Sequence, residues 1–106
     1  MSIVMNLYYT GQNGNTRKFA KEMEESGVAS LIRAEDGNER YEYFFPADDA
    51  ETVLLIDAWR DQEALDNHHH SPLMRRIAEL RDKYDLHMRA ERYIPEENPD
   101  LEFIRE

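Results

Sequence analysis

Thr52-Val53-Leu54-Leu55-Ile56-Asp57-Ala58-Trp59-Arg60-Asp61-Gln62-Glu63-Ala64-Leu65-Asp66-Asn67-His68-His69-His70-Ser71-Pro72 changes its periodicity in the middle. Up to Trp59 the pattern is extended, with Val53, Leu55, Asp57 and Trp59 on one face and Leu54, Ile56 and Ala58 on the other. Apolar residues on both faces predict a strand packed on two sides. Asp61 then predicts an N-cap, with Ala64, Leu65 and His68 at helical spacing behind it. Ser71 followed by Pro72 marks a second helix start, proline being suited to a first helical position. A strand that feeds two consecutive helices is the centre of the fold.

On the C-terminal side, Leu73, Ile77, Leu80 and Tyr84 form one apolar stripe that should lie on a sheet. A last strand is predicted over Leu86 to Tyr93, and the tail beyond it is patternless until Leu101, Phe103 and Ile104. On the N-terminal side, Ser2 to Thr10 reads as a strand ending at Gly11-Gln12-Asn13-Gly14, a turn cluster. Asn15 or Thr16 is the expected cap of a helix carrying Phe19, Ala20 and Met23, with Gly27 placed to end it. Val28 to Arg33 is expected to be a short strand. Asp36-Gly37 should then reverse the chain into an extended segment with Tyr41, Tyr43 and Phe45 on one side. The order strand, helix, strand pair, strand, helices, strand predicts an α+β, ferredoxin-like domain, an antiparallel sheet with helices on one face. Residues 1–93 are expected to form that domain and 94–106 a tail, one that can reach a partner subunit. The uncovered sheet face would carry large apolar residues, which predicts a twofold homodimer with sheets facing each other.

Composition narrows the function. A chain of 106 residues can bury a core without staples, and 41% of its residues are hydrophobic. Thirteen basic residues against twenty-three acidic ones give a formal charge of −10, which disfavours nucleic acid as a partner. The absence of cysteine excludes disulfides, thiolate metal sites and cysteine nucleophiles. Neither a signal peptide nor a run of apolar residues long enough to span a bilayer is apparent, so a cytoplasmic location without membrane contact is expected. Gly11-Gln12-Asn13-Gly14-Asn15 lacks the pattern of a phosphate-binding loop, so no nucleotide cofactor is expected. Three adjacent histidines, His68-His69-His70, diverge by about 100° each on a helix and do not spell a metal site.

The motif formed by Asp57, Trp59, Ala64-Leu65, His68 and Ser71-Pro72 resembles the antibiotic biosynthesis monooxygenase (ABM) domain family. In that family an acidic residue, a spacer and Trp end a strand, followed by Ala-Leu, His and Ser-Pro. The resemblance extends over Ile3 to Tyr93 in element order, and its identifying residues lie between 57 and 72. It implies a dimeric α/β barrel and, for several members, oxidation of quinols or polyketides by molecular oxygen without metal or flavin. Two positions depart from the pattern: Asp57 replaces the commoner Glu, and Leu73 stands where a second His is frequent. Haem-degrading relatives carry Trp near the position of His68 and His one helix later, where this chain has Ala78, so haem is not expected.

On that reading His68 is the catalytic base, since an imidazole can take the phenolic proton of a quinol-like substrate. Its structural alternative is packing at the helix junction. Asp57 and Trp59 share a strand face and would border the same cavity, the indole stacking on a flat ring; each has a structural alternative, a hydrogen bond to the next helix and a place in the core. Asn6 interrupts the first strand and is a candidate to orient substrate or oxygen, unless it faces solvent. Tyr41, Tyr43, Met74 and Ile77 are candidates for the apolar pocket wall, or plain core. The leading expectation is a cofactor-independent monooxygenase acting on an aromatic small molecule. Its rivals are a non-catalytic binding or stress-response module on the same scaffold and an isomerase of a small carbonyl compound.

Overall fold

The computed structural model describes residues 1–96. Eight elements follow one another: β1 (Ile3–Thr10), α1 (Asn15–Glu25), α2 (Val28–Arg33), β2 (Asn38–Phe44), β3 (Thr52–Trp59), α3 (Gln62–His69), α4 (Leu73–Lys83) and β4 (His87–Tyr93). The strands form one sheet in the order β2-β3-β1-β4, every neighbouring pair antiparallel. The sheet is the expected ferredoxin-like one, with its helices on one face. Among the described residues no helix is long and apolar enough to cross a membrane.

Register assigns the faces. Met5, Asp57 and Tyr41 lie side by side across three strands, as do Leu7, Leu55 and Tyr43, and both rows point toward the helices. Phe19 and Met23 from α1, Val28 and Ile32 from α2, and Leu65 from α3 are almost fully buried against Val53, Leu55 and Trp59. Asn6, Ile56 and Glu42 make up an alternating row on the other face.

Val28–Arg33 corrects the sequence reading, being a helix and not a strand. Val and Ile favour strands, but a six-residue run is too short for that preference to decide. Packing decides it: Val28, Ala29 and Ile32 are buried together while Leu31 is 55% exposed, a spacing that only a helix produces. Gly27, at φ 86°, permits the sharp break between α1 and α2. The first helix is capped by Gly14 rather than by Asn15 or Thr16. Glu51 accepts hydrogen bonds from the Gly14 N–H at 3.2 and 3.3 Å, and Asn15 donates to the Tyr84 carbonyl instead. Asp61 caps α3 as expected, accepting from the Ala64 N–H at 2.9 Å, and Ser71 Oγ accepts from the Leu73 N–H at the start of α4. The tail from Ile94 is described only as far as Glu96, and its remaining residues, including Leu101, Phe103 and Ile104, lie outside the described residues.

Candidate active site

The end of β3 and the inner side of α3 meet at one buried cluster. His68 is 4% exposed, Asp57 3% and Trp59 fully buried. The Trp59 indole N–H donates to Asp57 Oδ1 at 2.7 Å, and its ring stacks on the His68 imidazole with centroids 4.6 Å apart and planes 26° from parallel. Alternation along β3 puts the carboxylate and the indole on one side, and the Asp61 cap turns the chain so that His68, two helical turns on, returns over the indole.

Behind His68 stands a residue that the sequence reading did not single out. Glu35 Oε1 lies 2.8 Å from His68 Nδ1. A carboxylate in that place accepts from Nδ1–H and leaves the lone pair on Nε2, which makes no hydrogen bond to the described residues. The loop that delivers Glu35 is held at several points. The Glu35 N–H donates to the Ile32 carbonyl, the Asn38 N–H donates back to Glu35, and the Arg60 N–H donates to the Gly37 carbonyl at 2.8 Å. Gly37 has φ 85°, and a Cβ there would sit 2.4 Å from that of Ala64, so only glycine lets this loop close on α3. Nothing local marks Glu35: it is 33 residues from His68, and only the packing of α2 brings them together.

In front of His68 and Asp57 a cavity of about 160 Å³ opens between the sheet and α4. Its walls include Met5, Leu7 and Tyr41 from the sheet and Met74 and Ile77 from α4. His69 also lines it, and Met88 and Ala90 of the edge strand, both exposed, flank its mouth. Of the candidate residues, His68, Asp57, Tyr41, Met74 and Ile77 therefore share one hollow. Three do not. Trp59 lies beneath the site and stacks on His68 instead of on a ligand. Tyr43 is one register step further along, edge-on to Tyr41 and Phe19. Asn6 is on the opposite sheet face, so within one subunit it cannot orient a molecule in this cavity; its Oδ1 is buried there with no hydrogen-bond partner among the described residues. The two histidines that follow His68 are both exposed, and His70 Nδ1 lies 2.8 Å from the Asp66 carbonyl.

The electrostatics suit proton transfer. Burial pushes the Asp57 carboxyl up to about 7, with the indole hydrogen bond opposing and the Glu35 charge adding to the rise. It is thus divided between acid and carboxylate near neutrality. Tyr41 is held neutral, its phenol raised well above 10 first by burial. The cavity accordingly has an imidazole with a free nitrogen, a carboxyl group able to give or hold a proton, and mostly apolar walls.

Residues 1–80 match the family model of the antibiotic biosynthesis monooxygenase domain. The chain belongs to that family. Solved structures give the same ABM scaffold at low identity. A candidate antibiotic biosynthesis monooxygenase from Deinococcus radiodurans superposes with a TM-score of 0.80 at 13% identity, covering 93% of this chain and 97% of that one. SnoaB, a cofactor-independent oxygenase from Streptomyces nogalater, gives 0.77 at 12% identity with the same coverage. A Bacteroides thetaiotaomicron protein of unknown function, described as a possible oxidoreductase, gives 0.75 at 16% identity over 87% of this chain and 95% of that one. No curated protein sequence matches the chain. These likenesses are of ABM fold; the chemistry of this member rests on its own residues.

Proposed function

We propose that this ABM-family protein is a cofactor-independent monooxygenase acting on a small quinol-like or polyketide-like aromatic, with molecular oxygen as co-substrate. The observation that carries the reading is His68, oriented by Glu35 and facing an apolar cavity beside a carboxyl group raised to about 7. Nε2 of His68 takes a phenolic proton, and the anion so formed is electron-rich enough to reduce oxygen. Asp57 in its acid form hydrogen-bonds the substrate's second oxygen and stabilises the charge as it moves across the ring. One oxygen atom bonds to carbon and the other leaves as water, the substrate supplying all four electrons that oxygen consumes. Met5, Leu7, Tyr41, Met74 and Ile77 bind the ring and exclude water, which favours orientation over hydrolytic side reactions. Trp59 is a positioning residue, holding Asp57 by its N–H and His68 by its ring face.

Oxygen uptake with a panel of quinols and hydroxylated aromatics tests this. Turnover is expected with at least one compound, and His68→Ala is expected to lower kcat by on the order of 100-fold. Lack of uptake across the panel, or uptake equal in His68→Ala, would end the proposal.

The working unit in this reading is a homodimer formed through the helix-free sheet face. Val4, Tyr8, Leu54 and Ile56 lie half-buried there, Phe44 and Tyr93 more exposed, with Asn6 Oδ1 unpartnered at the centre. A face of this composition favours self-association. One further reading has its own support: an acid near pH 7 opposite a free imidazole nitrogen is also what an isomerase uses to move a proton between carbons. Deuterium exchange into a substrate without oxygen consumption would select it.

A further inference from the structure

The cavity has a second polar end. Arg81 lines it, on the same side of α4 as Met74 and Ile77, and is half-buried. Six of the chain's arginine and lysine side chains pair with an acid among the described residues, namely Lys21, Arg33, Arg40, Arg60, Lys83 and Arg89, and Arg92 donates to the neutral Gln62 amide.

 Arg17, Lys18, Arg75, Arg76 and Arg81 form no ion pair among the described residues, and of these five only Arg81 lines the cavity, in a chain where acids outnumber bases by twenty-three to thirteen. Tyr9 faces the same end of the cavity, 3% exposed, and its hydroxyl makes no hydrogen bond to the described residues. Burial pushes the Tyr9 phenol up to about 12, with the Arg81 charge opposing and the Asp57 charge adding to the rise, so it remains a neutral donor within reach of the Arg81 charge.

The two polar ends are set apart by the elements that carry them. Tyr9 lies four residues along β1 from Met5, the residue paired with Asp57, which is about 13 Å of strand. Arg81 lies seven residues along α4 from Met74, about 10 Å of helix. Between them run Leu7 and Ile77, both apolar. We propose that Arg81, with the Tyr9 hydroxyl beside it, binds a carboxylate, so that the substrate is a small aromatic hydroxy acid whose hydroxyl meets His68 at the other end.

Guanidinium matches a carboxylate with two parallel hydrogen bonds, and a hydroxyl donor adds a third. In a protein of formal charge −10, an anionic ligand needs such a local cation to offset the overall repulsion. The inference rests on the aromatic-binding reading above, and its test separates the two. Trp59 is the chain's one tryptophan and stacks on a cavity residue, so its fluorescence reports ligand binding. Titration under anaerobic conditions would compare 2,5-dihydroxybenzoate with hydroquinone, which differ by the carboxylate alone. Wild-type protein is expected to bind the acid at least 10-fold more tightly. Arg81→Gln is expected to lose that preference while binding hydroquinone as before, and Arg81→Lys to keep part of it. Equal affinity of the wild type for both compounds, or a preference that survives in Arg81→Gln, overturns the carboxylate site and leaves the aromatic reading standing. Failure of the wild type to bind either compound overturns both.

Discussion

Asp57 combines a burial cost with the catalytic use proposed for it. Its carboxyl is raised from 3.8 to about 7 chiefly by desolvation, so the folded state holds the proton more tightly than the unfolded chain does. The stability linked to that proton is fully present below about pH 4 and is lost as pH rises toward 7. Asp57→Asn keeps an acceptor for the Trp59 N–H and removes the charge. Its stability relative to wild type is expected to be near zero at pH 4 and to rise to at most about 4 kcal/mol by pH 8, read by urea unfolding at a series of pH values. A difference that does not change with pH would show that Asp57 is not desolvated as described. Asp57, Trp59 and His68 were legible in the sequence because alternation and a helix cap fix their relative placement within a dozen residues. Glu35 and Arg81 were not. Glu35 reaches His68, and Arg81 the cavity, through packing between elements distant in sequence, which spacing along the chain does not encode. Glu35→Gln keeps the size of the side chain but not its charge, and is expected to lower kcat less than His68→Ala does, with protein stability as the control.

Among the elements, α2 matters most to the site, since it ends at the loop that carries Glu35. Its start depends on Gly27 at φ 86°, where a Cβ would meet no neighbouring atom within 4 Å. Gly27→Ala therefore tests the backbone alone, and a loss of about 1–2 kcal/mol in urea unfolding is expected. An unchanged midpoint would mean that the chain enters α2 by another route. The strands, α3 and α4 were readable because each carries a sustained period or a capping residue. Val28–Arg33 has only six residues and β-branched side chains, and its helical state is set by burial against α1 and β2. The sequence also suggested that both faces of β3 are covered. In one subunit the helices cover one face, and Leu54 and Ile56 on the other remain partly exposed.

At the scale of the whole molecule, that helix-free face makes association part of the account. A dimer mass by light scattering at micromolar concentration is expected. Ile56→Lys places a charge on the face away from the cavity, and is expected to shift the protein toward monomer without unfolding it. A monomeric wild type would remove the homodimer from the proposal while leaving the cavity in place. The net charge of −10 belongs to this scale too: it disfavours anionic polymers as partners and leaves recognition of small anions to the local field of Arg81. The ferredoxin-like sheet was legible from element order, but which face the cavity would use, and that Asn6 stands outside it, depended on register across three strands.

Isotope labelling tests the central claim most directly. With a turned-over aromatic substrate under ¹⁸O₂, the product's mass spectrum is expected to show one oxygen atom gained from the gas, and His68→Ala to form little of it. A product that gains no labelled oxygen, or acquires its new oxygen from labelled water instead, would contradict oxygenation by this protein.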